Sequence, residues 1–248
     1  MAVIAGNWKM YHGPRETRAF FAALQLPPNA GTHELLVFPA SLSLSTAAGC
    51  KERDPRIQLG VQNIHWEEKG AFTGEVSAGM AREVGATFAL VGHSERRQLF
   101  GESDQSVALK ATAARRHGLV PVVCVGETLA ERRAGKVEEV ILRQLDAALD
   151  ALLGAEGRFL VAYEPVWAIG TGETATPADA SSAQGALRGR LDQRMGAAPS
   201  TRVPILYGGS VKPDNAAELL AAPNVDGVLV GGASLDPASY SALVRAAG

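Results

Sequence analysis

The amino-acid sequence predicts an α/β fold in which parallel strands and helices alternate and close into a (β/α)8 barrel. Eight short apolar runs, rich in Val, Ile, Leu and Phe, recur along the 248 residues. Such runs are typical of strands that are buried on both faces of a parallel sheet. Amphipathic segments with helical spacing lie between them, and no Pro-rich or Ser-rich boundary divides the chain. We therefore expect a single domain that spans residues 1–248.

The predicted strands are Ala2–Ala5, Leu35–Phe38, Ile57–Val61, Phe88–Val91, Val120–Val125, Phe159–Ala162, Val203–Tyr207 and Val228–Val230. An open, doubly wound sheet would also alternate strands with helices. The number of strands, the length of the chain and the lack of a long linker favour a closed barrel over the open sheet.

Three amphipathic segments predict helices over Arg15–Leu26, Asp104–His117 and Glu138–Leu153. Their apolar residues recur at helical spacing, so that one face of each helix can pack on the sheet. Two further helices are predicted to begin at Thr176-Pro177 and at Lys212-Pro213-Asp214, because proline is tolerated in the first turn of a helix.

Charge and composition argue against several classes of partner. The formal net charge is −2, and Lys and Arg form no run longer than pairs such as Arg115-Arg116. Binding to nucleic acid or to a membrane surface therefore has no electrostatic support. The sequence also contains no apolar run of about 18 residues and no signal-peptide pattern. We expect a cytoplasmic protein with no nucleic-acid partner and no membrane association.

The two cysteines, Cys50 and Cys124, lie far apart in the sequence and form no CxxC pair. Two reduced thiols in a cytosolic protein are the simplest interpretation. His and Cys are never grouped at metal-ligand spacing, and no dinucleotide-binding fingerprint is present. We therefore expect neither a metal nor a cofactor.

Polar residues follow the predicted strands, and in such barrels the active site lies at the carboxyl ends of the strands. Asn7, Trp8 and Lys9 come directly after the first strand. Lys9 could be an ordinary surface lysine. It could also be a cation held over an anionic substrate, with the amide of Asn7 beside it.

His93 and Glu164 follow the fourth and sixth strands. A histidine at a strand end is often only structural, but Ser94-Glu95 can begin a helix whose N–H groups point towards the imidazole and favour its neutral form. Glu164 could be a salt-bridged glutamate. A carboxylate at a strand end among apolar residues is also a good candidate for a general base, because an apolar surround increases its affinity for protons.

The loop after Glu164 has Pro165 at one end and Gly170-Thr171-Gly172 at the other, with Val166, Trp167 and Ile169 between them. Apolar residues are costly in an exposed loop unless it sometimes covers a site, so we interpret it as a hinged lid.

Glycine pairs follow the last two strands, as Gly208-Gly209-Ser210 and Gly231-Gly232. Turns use such pairs freely, so each alone is weak evidence. Together, after the last two strands of a barrel, they predict backbone N–H groups that hold a phosphate. The combined chemistry is proton abstraction next to a carbonyl on a small phosphorylated substrate.

Seven segments of the chain resemble the triosephosphate isomerase family, in the family's order and over essentially the whole length. They are Ala5-Gly6-Asn7-Trp8-Lys9-Met10, Gly70-Ala71-Phe72-Thr73-Gly74-Glu75, Leu90-Val91-Gly92-His93-Ser94-Glu95-Arg96-Arg97, Cys124-Val125-Gly126-Glu127, Tyr163-Glu164-Pro165-Val166-Trp167-Ala168-Ile169-Gly170-Thr171-Gly172, Tyr207-Gly208-Gly209-Ser210-Val211 and Val230-Gly231-Gly232-Ala233-Ser234-Leu235. One departure is Pro39-Ala40, where the family often has two prolines; we expect only a small effect on loop rigidity.

This resemblance implies a TIM barrel and an intramolecular aldose–ketose isomerase of glycolysis and gluconeogenesis. It would interconvert D-glyceraldehyde 3-phosphate and dihydroxyacetone phosphate through an enediol or enediolate. By the same resemblance, Glu164 would be the base, His93 the neutral electrophile, and Lys9 the cation that stabilises the enediolate, with Asn7 placing the substrate. Ser94 and Glu95 would support these groups, Glu95 through Lys9. The phosphate-binding residues would be Gly170, Ser210, Gly231 and Gly232.

The segment from Gln62 to Glu75 resembles the loop through which two subunits of this family associate. Its tip, Thr73, would reach the active site of the neighbouring subunit, which implies a homodimer. A solvent-exposed loop is the alternative, and Phe72 beside the tip fits it poorly.

Two other functions are compatible with a barrel of this kind. A barrel aldolase would use Lys9 as a Schiff-base amine, although such lysines usually lie within a later strand. A non-catalytic phosphate-binding barrel would be expected to lack Lys9, His93 or Glu164, and all three are present.

Overall fold

The computed structural model describes residues 1–153, 157–169 and 175–248. Its parallel strands pair in sequence order and close into a barrel. They are β1 (Val3–Asn7), β2 (Glu34–Phe38), β3 (Ile57–Val61), β4 (Phe88–Val91), β5 (Val120–Val125), β6 (Leu160–Tyr163), β7 (Ile205–Tyr207) and β8 (Gly227–Val230). The predicted (β/α)8 class is confirmed, and the open sheet is excluded because β8 pairs with β1.

The helices lie outside the barrel strands in the chain order typical of this fold. They are α1 (Pro14–Ala23), α2 (Ser41–Gly49), α3 (Ala78–Glu83), α4 (Ser94–Phe100), α5 (Asp104–Arg116), α6 (Leu129–Arg133), α7 (Val137–Leu152), α8 (Pro177–Met195), α9 (Ala197–Ser200), α10 (Ala216–Ala221) and α11 (Pro237–Ala246). Short 3-10 turns cover Pro28–Thr32, Val166–Ala168 and Gly232–Ser234.

One predicted helix start is confirmed and the other is wrong. Thr176 caps α8 through reciprocal hydrogen bonds with Asp179, at 3.1 Å from the Asp179 N–H and 3.0 Å to its carboxylate. The Lys212-Pro213-Asp214 segment forms a turn instead, and α10 begins only at Ala216. The side chain of Asn215 accepts a hydrogen bond from the Lys212 N–H at 2.8 Å, which closes a turn before the helix begins.

Two apolar layers explain why the strand sequences are apolar without interruption. Within β5, Val122 and Cys124 point into the barrel, whereas Val123 and Val125 pack against the helices. Because alternate side chains point to opposite faces, and both faces are covered, the whole strand must be apolar. The layer inside the barrel consists of Val3, Ala5, Leu36, Phe38, Phe88, Leu90, Val122, Cys124, Leu160, Ala162, Leu206 and Leu229.

Close backbone approach constrains two glycines in the barrel. A Cβ on Gly126 would lie 1.8 Å from the carbonyl oxygen of Glu164, and a Cβ on Gly227 would lie 2.2 Å from that of Val3. Since neither contact is with a flexible side chain, the strands themselves must move to relieve the overlap.

Among the described helices, none combines the length and apolar character that crossing a membrane requires.

We expect Gly227→Ala to destabilise the protein by about 2–3 kcal/mol, because the added methyl group forces β8 away from β1 where the barrel closes. Gly189→Ala is the matched control. It lies inside α8 with no atom within 4 Å of the added Cβ, and we expect it to raise the free energy of unfolding by about 0.5–1 kcal/mol. Urea unfolding measures both. Equal stability of the two variants would contradict this account of closure.

Candidate active site

A cavity of about 720 Å³ opens at the carboxyl ends of the strands. It brings together most of the predicted site residues, although they come from distant parts of the sequence. Its lining consists of Asn7, Lys9, His93, Glu164, Ile169, Gly208, Gly209, Ser210, Val211, Lys212, Pro213, Asp214, Leu229, Gly231, Gly232 and Ala233. Ser94 and Glu95 lie directly behind His93. The predicted phosphate-binding residue Gly170 lies outside the described residues.

Glu164 and His93 form a buried pair at the bottom of this cavity. The Nε2 atom of His93 lies 2.9 Å from Oε1 of Glu164, and the Ser94 N–H donates to Oε2 at 3.0 Å. Only 6% of His93 and 2% of Glu164 are exposed. Both oxygens of the carboxylate are therefore engaged by the two residues where α4 begins.

The imidazole of His93 is oriented by the residue that follows it in the helix. His93 is the N-cap of α4, and its Nδ1 atom accepts a hydrogen bond from the Glu95 N–H at 3.2 Å. An accepting Nδ1 leaves the ring proton on Nε2, which is the atom that faces Glu164. The predicted helix start at Ser94 and its N–H contact with the ring are confirmed.

In the ligand-free site, a second effect on the protonation of His93 opposes the one expected from the amides of α4. Burial lowers the pKa of His93, but the charge and hydrogen bond of Glu164, with a smaller contribution from Glu95, outweigh burial and raise the pKa above its usual value. The sequence predicted the amides of α4 but not the direct contact of the imidazole with a carboxylate.

Lys9 is held in an unusual backbone conformation at the rim of the cavity. Its φ angle is +51°, in the left-handed region that residues other than glycine seldom adopt. The side chain of Asn7 accepts a hydrogen bond from the Lys9 N–H at 3.1 Å, and the Gln62 amide donates to the Lys9 carbonyl at 2.8 Å. The Lys9 ammonium pairs with Glu95 at 2.5 Å. Strained backbone that is fixed from both sides is typical of functional sites.

The surroundings of the glycines after β7 and β8 differ, so the structural reasons for a glycine at each position differ too. A Cβ on Gly208 would lie 2.9 Å from Cγ of Glu164, so this glycine leaves space for the carboxylate side chain. A Cβ on Gly209 would lie 2.1 Å from the hydroxyl oxygen of Tyr207, whereas one on Gly232 would meet nothing within 4 Å. Among the described residues, no neighbouring atom therefore requires a glycine at position 232, although Gly232 lines the cavity. Lys212, which sequence reasoning did not place in the site, adds a positive charge to the lining.

The first turn of the predicted lid contacts a buried carboxylate that sequence reasoning missed. Glu127 is fully buried and accepts hydrogen bonds from Trp167 Nε1 at 2.8 Å and from the Tyr163 hydroxyl at 3.2 Å. Burial raises the pKa of Glu127. Arg132 stacks on the Trp167 ring, 4.5 Å from its centroid. Trp167 was expected to be exposed and is instead half-buried. The one sequence signal that could have pointed to Glu127 as a site residue is that it closely follows β5.

Among residues 1–153, 157–169 and 175–248, no group of three or more His, Cys, Asp or Glu side chains could hold a metal ion. The side chains that converge in the cavity are an imidazole, a carboxylate and an ammonium. Such a set can transfer protons and stabilise developing negative charge.

The fold and the site together define a class of protein: a (β/α)8-barrel enzyme with a buried histidine–glutamate pair and a lysine at the carboxyl ends of its strands. The model of the triosephosphate isomerase family matches residues 2–247, and the chain belongs to that family. This confirms the resemblance seen in the sequence.

Relatives that carry the name triosephosphate isomerase match along nearly their whole length. The protein of Solibacter usitatus is 46% identical over 98% of this chain and 98% of its own. That of Moorella thermoacetica is 47% identical over 98% of this chain and 97% of its own. That of Halorhodospira halophila is 49% identical over 99% of this chain and 97% of its own.

The raised pKa of His93 predicts a pH-dependent contribution to stability. A folded-state pKa above the usual 6.5 means that the contribution is complete below about pH 6.5 and is lost as the pH rises through the folded value. The difference in unfolding free energy between the wild type and His93→Gln should therefore shrink from about pH 5.5 towards about pH 9. Urea unfolding across this range measures it. A difference that grows with pH would contradict the assigned direction.

Proposed function

We propose that this chain interconverts D-glyceraldehyde 3-phosphate and dihydroxyacetone phosphate by proton transfer through an enediol or enediolate, as an isomerase of glycolysis and gluconeogenesis. The observation that carries the proposal is the buried His93–Glu164 pair, which faces Lys9 across a cavity whose other wall is rich in glycine amides. Membership of the family supports the same substrates. No cofactor is needed for this chemistry.

Glu164 is proposed as the base that takes a proton from one carbon of the substrate and returns it to the next. In the ligand-free protein its carboxylate is bound to Ser94 and His93. It must leave these partners to reach a carbon atom, and Gly208 leaves space beside its Cγ for that movement. Once it has left both partners, the carboxylate is free to accept a proton from the substrate, as a general base requires.

His93 is proposed as the electrophile. The substrate carbonyl would take the position beside Nε2 that Glu164 leaves. Its Nε2–H would then donate to the substrate carbonyl, while the Glu95 N–H keeps Nδ1 an acceptor. Movement of Glu164 also removes the charge that raises the pKa of His93, so the neutral imidazole is favoured once the substrate is bound.

Lys9 is proposed to stabilise the negative charge of the enediolate, with Asn7 placing the substrate. Asn7 holds the Lys9 backbone, and Glu95 holds the Lys9 ammonium near the cavity. Ser94 and Glu95 are thus supporting residues. An ammonium in an ion pair is poorly suited to the free-amine chemistry of a Schiff base, so an aldolase is not favoured.

The phosphate of the substrate is proposed to bind the backbone amides of Gly170, Ser210, Gly231 and Gly232. The last three line the same cavity as Glu164. Closure of the segment after Pro165 would exclude water and hold the phosphate in place. This matters because an exposed enediolate can eliminate its phosphate group.

We expect Glu164→Asp to lower kcat by about two to three orders of magnitude with KM little changed, because it withdraws the base by about one methylene from the reacting carbon. Glu164→Gln should abolish turnover. The assay supplies glyceraldehyde 3-phosphate and follows dihydroxyacetone phosphate through glycerol-3-phosphate dehydrogenase and NADH. Full activity of Glu164→Gln would remove this residue from the reaction; an inactive, folded wild type would refute the isomerase function.

We propose that the protein is a homodimer joined through the loop from Gln62 to Glu75. A groove of about 310 Å³ beside Lys9 and His93 is lined by residues of this loop, including Gly74 and Glu75. Three apolar side chains of the neighbouring segments are largely exposed: 93% of Met10, 72% of Leu99 and 66% of Phe100. Apolar side chains that are exposed to water in this way favour association with another protein surface. The exposed Thr73 of a second copy would enter this groove.

Thr73→Arg should therefore weaken the dimer and reduce activity, since the longer side chain needs more space than threonine and brings another positive charge beside Lys9 and Arg96. Thr201→Arg, an exposed threonine after α9, is the matched control and should remain dimeric. Sedimentation velocity over a range of concentrations and the coupled assay check both properties. A Thr73→Arg variant as dimeric and active as the control would contradict the proposed interface.

We also propose a single catalytic domain over residues 1–248 and a cytoplasmic location. The pairing of β1 with β8, which lie near opposite ends of the chain, supports the domain. Cys50 and Cys124 are both free thiols, as is usual for cytosolic proteins.

A further inference from the structure

Arg97 lies behind the proposed acid–base pair and contacts three different elements. Its Nε donates to the Gly92 carbonyl at 2.8 Å, its Nη1 pairs with Asp104 at 2.7 Å, and its Nη2 donates to the Cys124 carbonyl at 3.3 Å. The guanidinium thus joins the ends of β4 and β5 to the start of α5. Only 13% of its side chain is exposed, so solvent competes weakly for these hydrogen bonds.

The two carbonyl groups lie where the pairing of β4 with β5 stops. The last paired residues are Val91 and Val123. Carbonyl groups of a strand alternate between its two neighbours, and the Val125 carbonyl already accepts from Glu164 of the β6 side at 2.8 Å. The Cys124 carbonyl therefore points towards β4, and Arg97 supplies the donor that the strand no longer provides.

The contact is important at Gly92 because this residue forms the turn between β4 and His93. Its φ angle is +74°, and a Cβ there would lie 2.7 Å from Val107 and 2.9 Å from Nη2 of Arg97. The guanidinium packs directly against the turn and holds its carbonyl. The next residue is His93, so the direction in which the imidazole leaves the strand depends on this turn.

The same arginine also fixes the helix that orients the imidazole. Arg97 lies in the first turns of α4, and its own N–H bonds to the His93 carbonyl at 3.1 Å. The Ser94 and Glu95 amides of this helix hold Glu164 and the Nδ1 atom of His93. A rotation of α4 relative to β4 would move both amides away from their acceptors.

We propose that Arg97 is a positioning residue for the reaction: it holds the Gly92 turn and α4 so that the Glu95 N–H meets Nδ1 and the ring proton of His93 stays on Nε2. This role rests on the proposed function of His93 and Glu164. Arg97 lines neither the cavity nor the groove beside it, so its effect reaches the substrate through the imidazole.

The test compares Arg97→Ala with Arg53→Ala. Arg53 also donates to two carbonyl groups, those of Ala47 and Ile57, but it lies by the amino end of β3, away from the site. We expect kcat of Arg97→Ala to fall about 10- to 100-fold with KM within about twofold, whereas Arg53→Ala keeps the wild-type kcat. The thermal midpoints of both variants are measured in parallel.

Two further measurements separate positioning from a general loss of stability. Guanidinium ion at about 50 mM should restore several-fold of the lost kcat in Arg97→Ala, and should not change kcat of Arg53→Ala. In ¹⁵N spectra near pH 9, with His93→Gln used for assignment, the wild-type His93 should show Nε2–H with Nδ1 as acceptor. Arg97→Ala should show a mixture of the two tautomers.

If Arg97→Ala does not fold, Asp104→Asn takes its place, because it keeps the guanidinium and removes only its charged anchor. A smaller fall in kcat and the same tautomer change are expected. An unchanged kcat in a folded variant, or a reduced kcat with the wild-type tautomer and no response to guanidinium, would overturn the proposal. An inactive wild type would refute the proposed function instead, while the ¹⁵N spectra would still decide whether Arg97 orients His93.

Discussion

Strands β1 and β8 come from opposite ends of the chain and pair along their length, from Val3 opposite Gly227 to Gly6 opposite Val230. Because all the strands are parallel, closing the barrel at this seam brings every carboxyl end to one rim. The catalytic candidates follow β1, β4 and β6, and the glycine amides follow β7 and β8. Without closure these groups would be spread along the edge of a sheet, with no common cavity.

Groups at the rim also compensate the cost of burying the Glu164 carboxylate. A carboxylate with 2% of its surface exposed is costly to bury, and here the Ser94 amide and the His93 ring replace its lost water. Cys124 lies inside the barrel close to Glu164, and burial together with that charge raises the pKa of its thiol well above the usual value. The thiol therefore stays uncharged near neutral pH and adds no repulsion to the pair.

Most of the fold could be predicted because its signals are local. The strand runs matched the observed strands within two residues at either end, since a strand covered on both faces has no polar positions. The predicted helices α1, α5 and α7 have a clear apolar face. Helix α2 was not predicted, because its small residues Ser, Ala and Gly carry no such contrast. The start of α10 was predicted a few residues too early, in the turn where the side chain of Asn215 accepts a hydrogen bond from the Lys212 N–H.

The site was predictable as a set of residues but not as a set of contacts. Lys9, His93 and Glu164 could be placed at one rim, because strand ends in a barrel share a side. The bond between His93 and Glu164, the clamp of Arg97 on two carbonyl groups, and the contact of Trp167 with Glu127 could not.

The sequence by itself determined the strands, their order and the residues that reach the rim, since each depends on neighbours within a few positions. Only the tertiary structure decided which groups meet. Ser94 and Glu164 lie 70 positions apart, and Trp167 and Glu127 lie 40 apart. Contacts over such separations depend on how the closed barrel orients each strand end and on which rotamer each side chain adopts. The protonation of His93 follows from one such contact, and for that reason its raised pKa could be seen only in the folded protein.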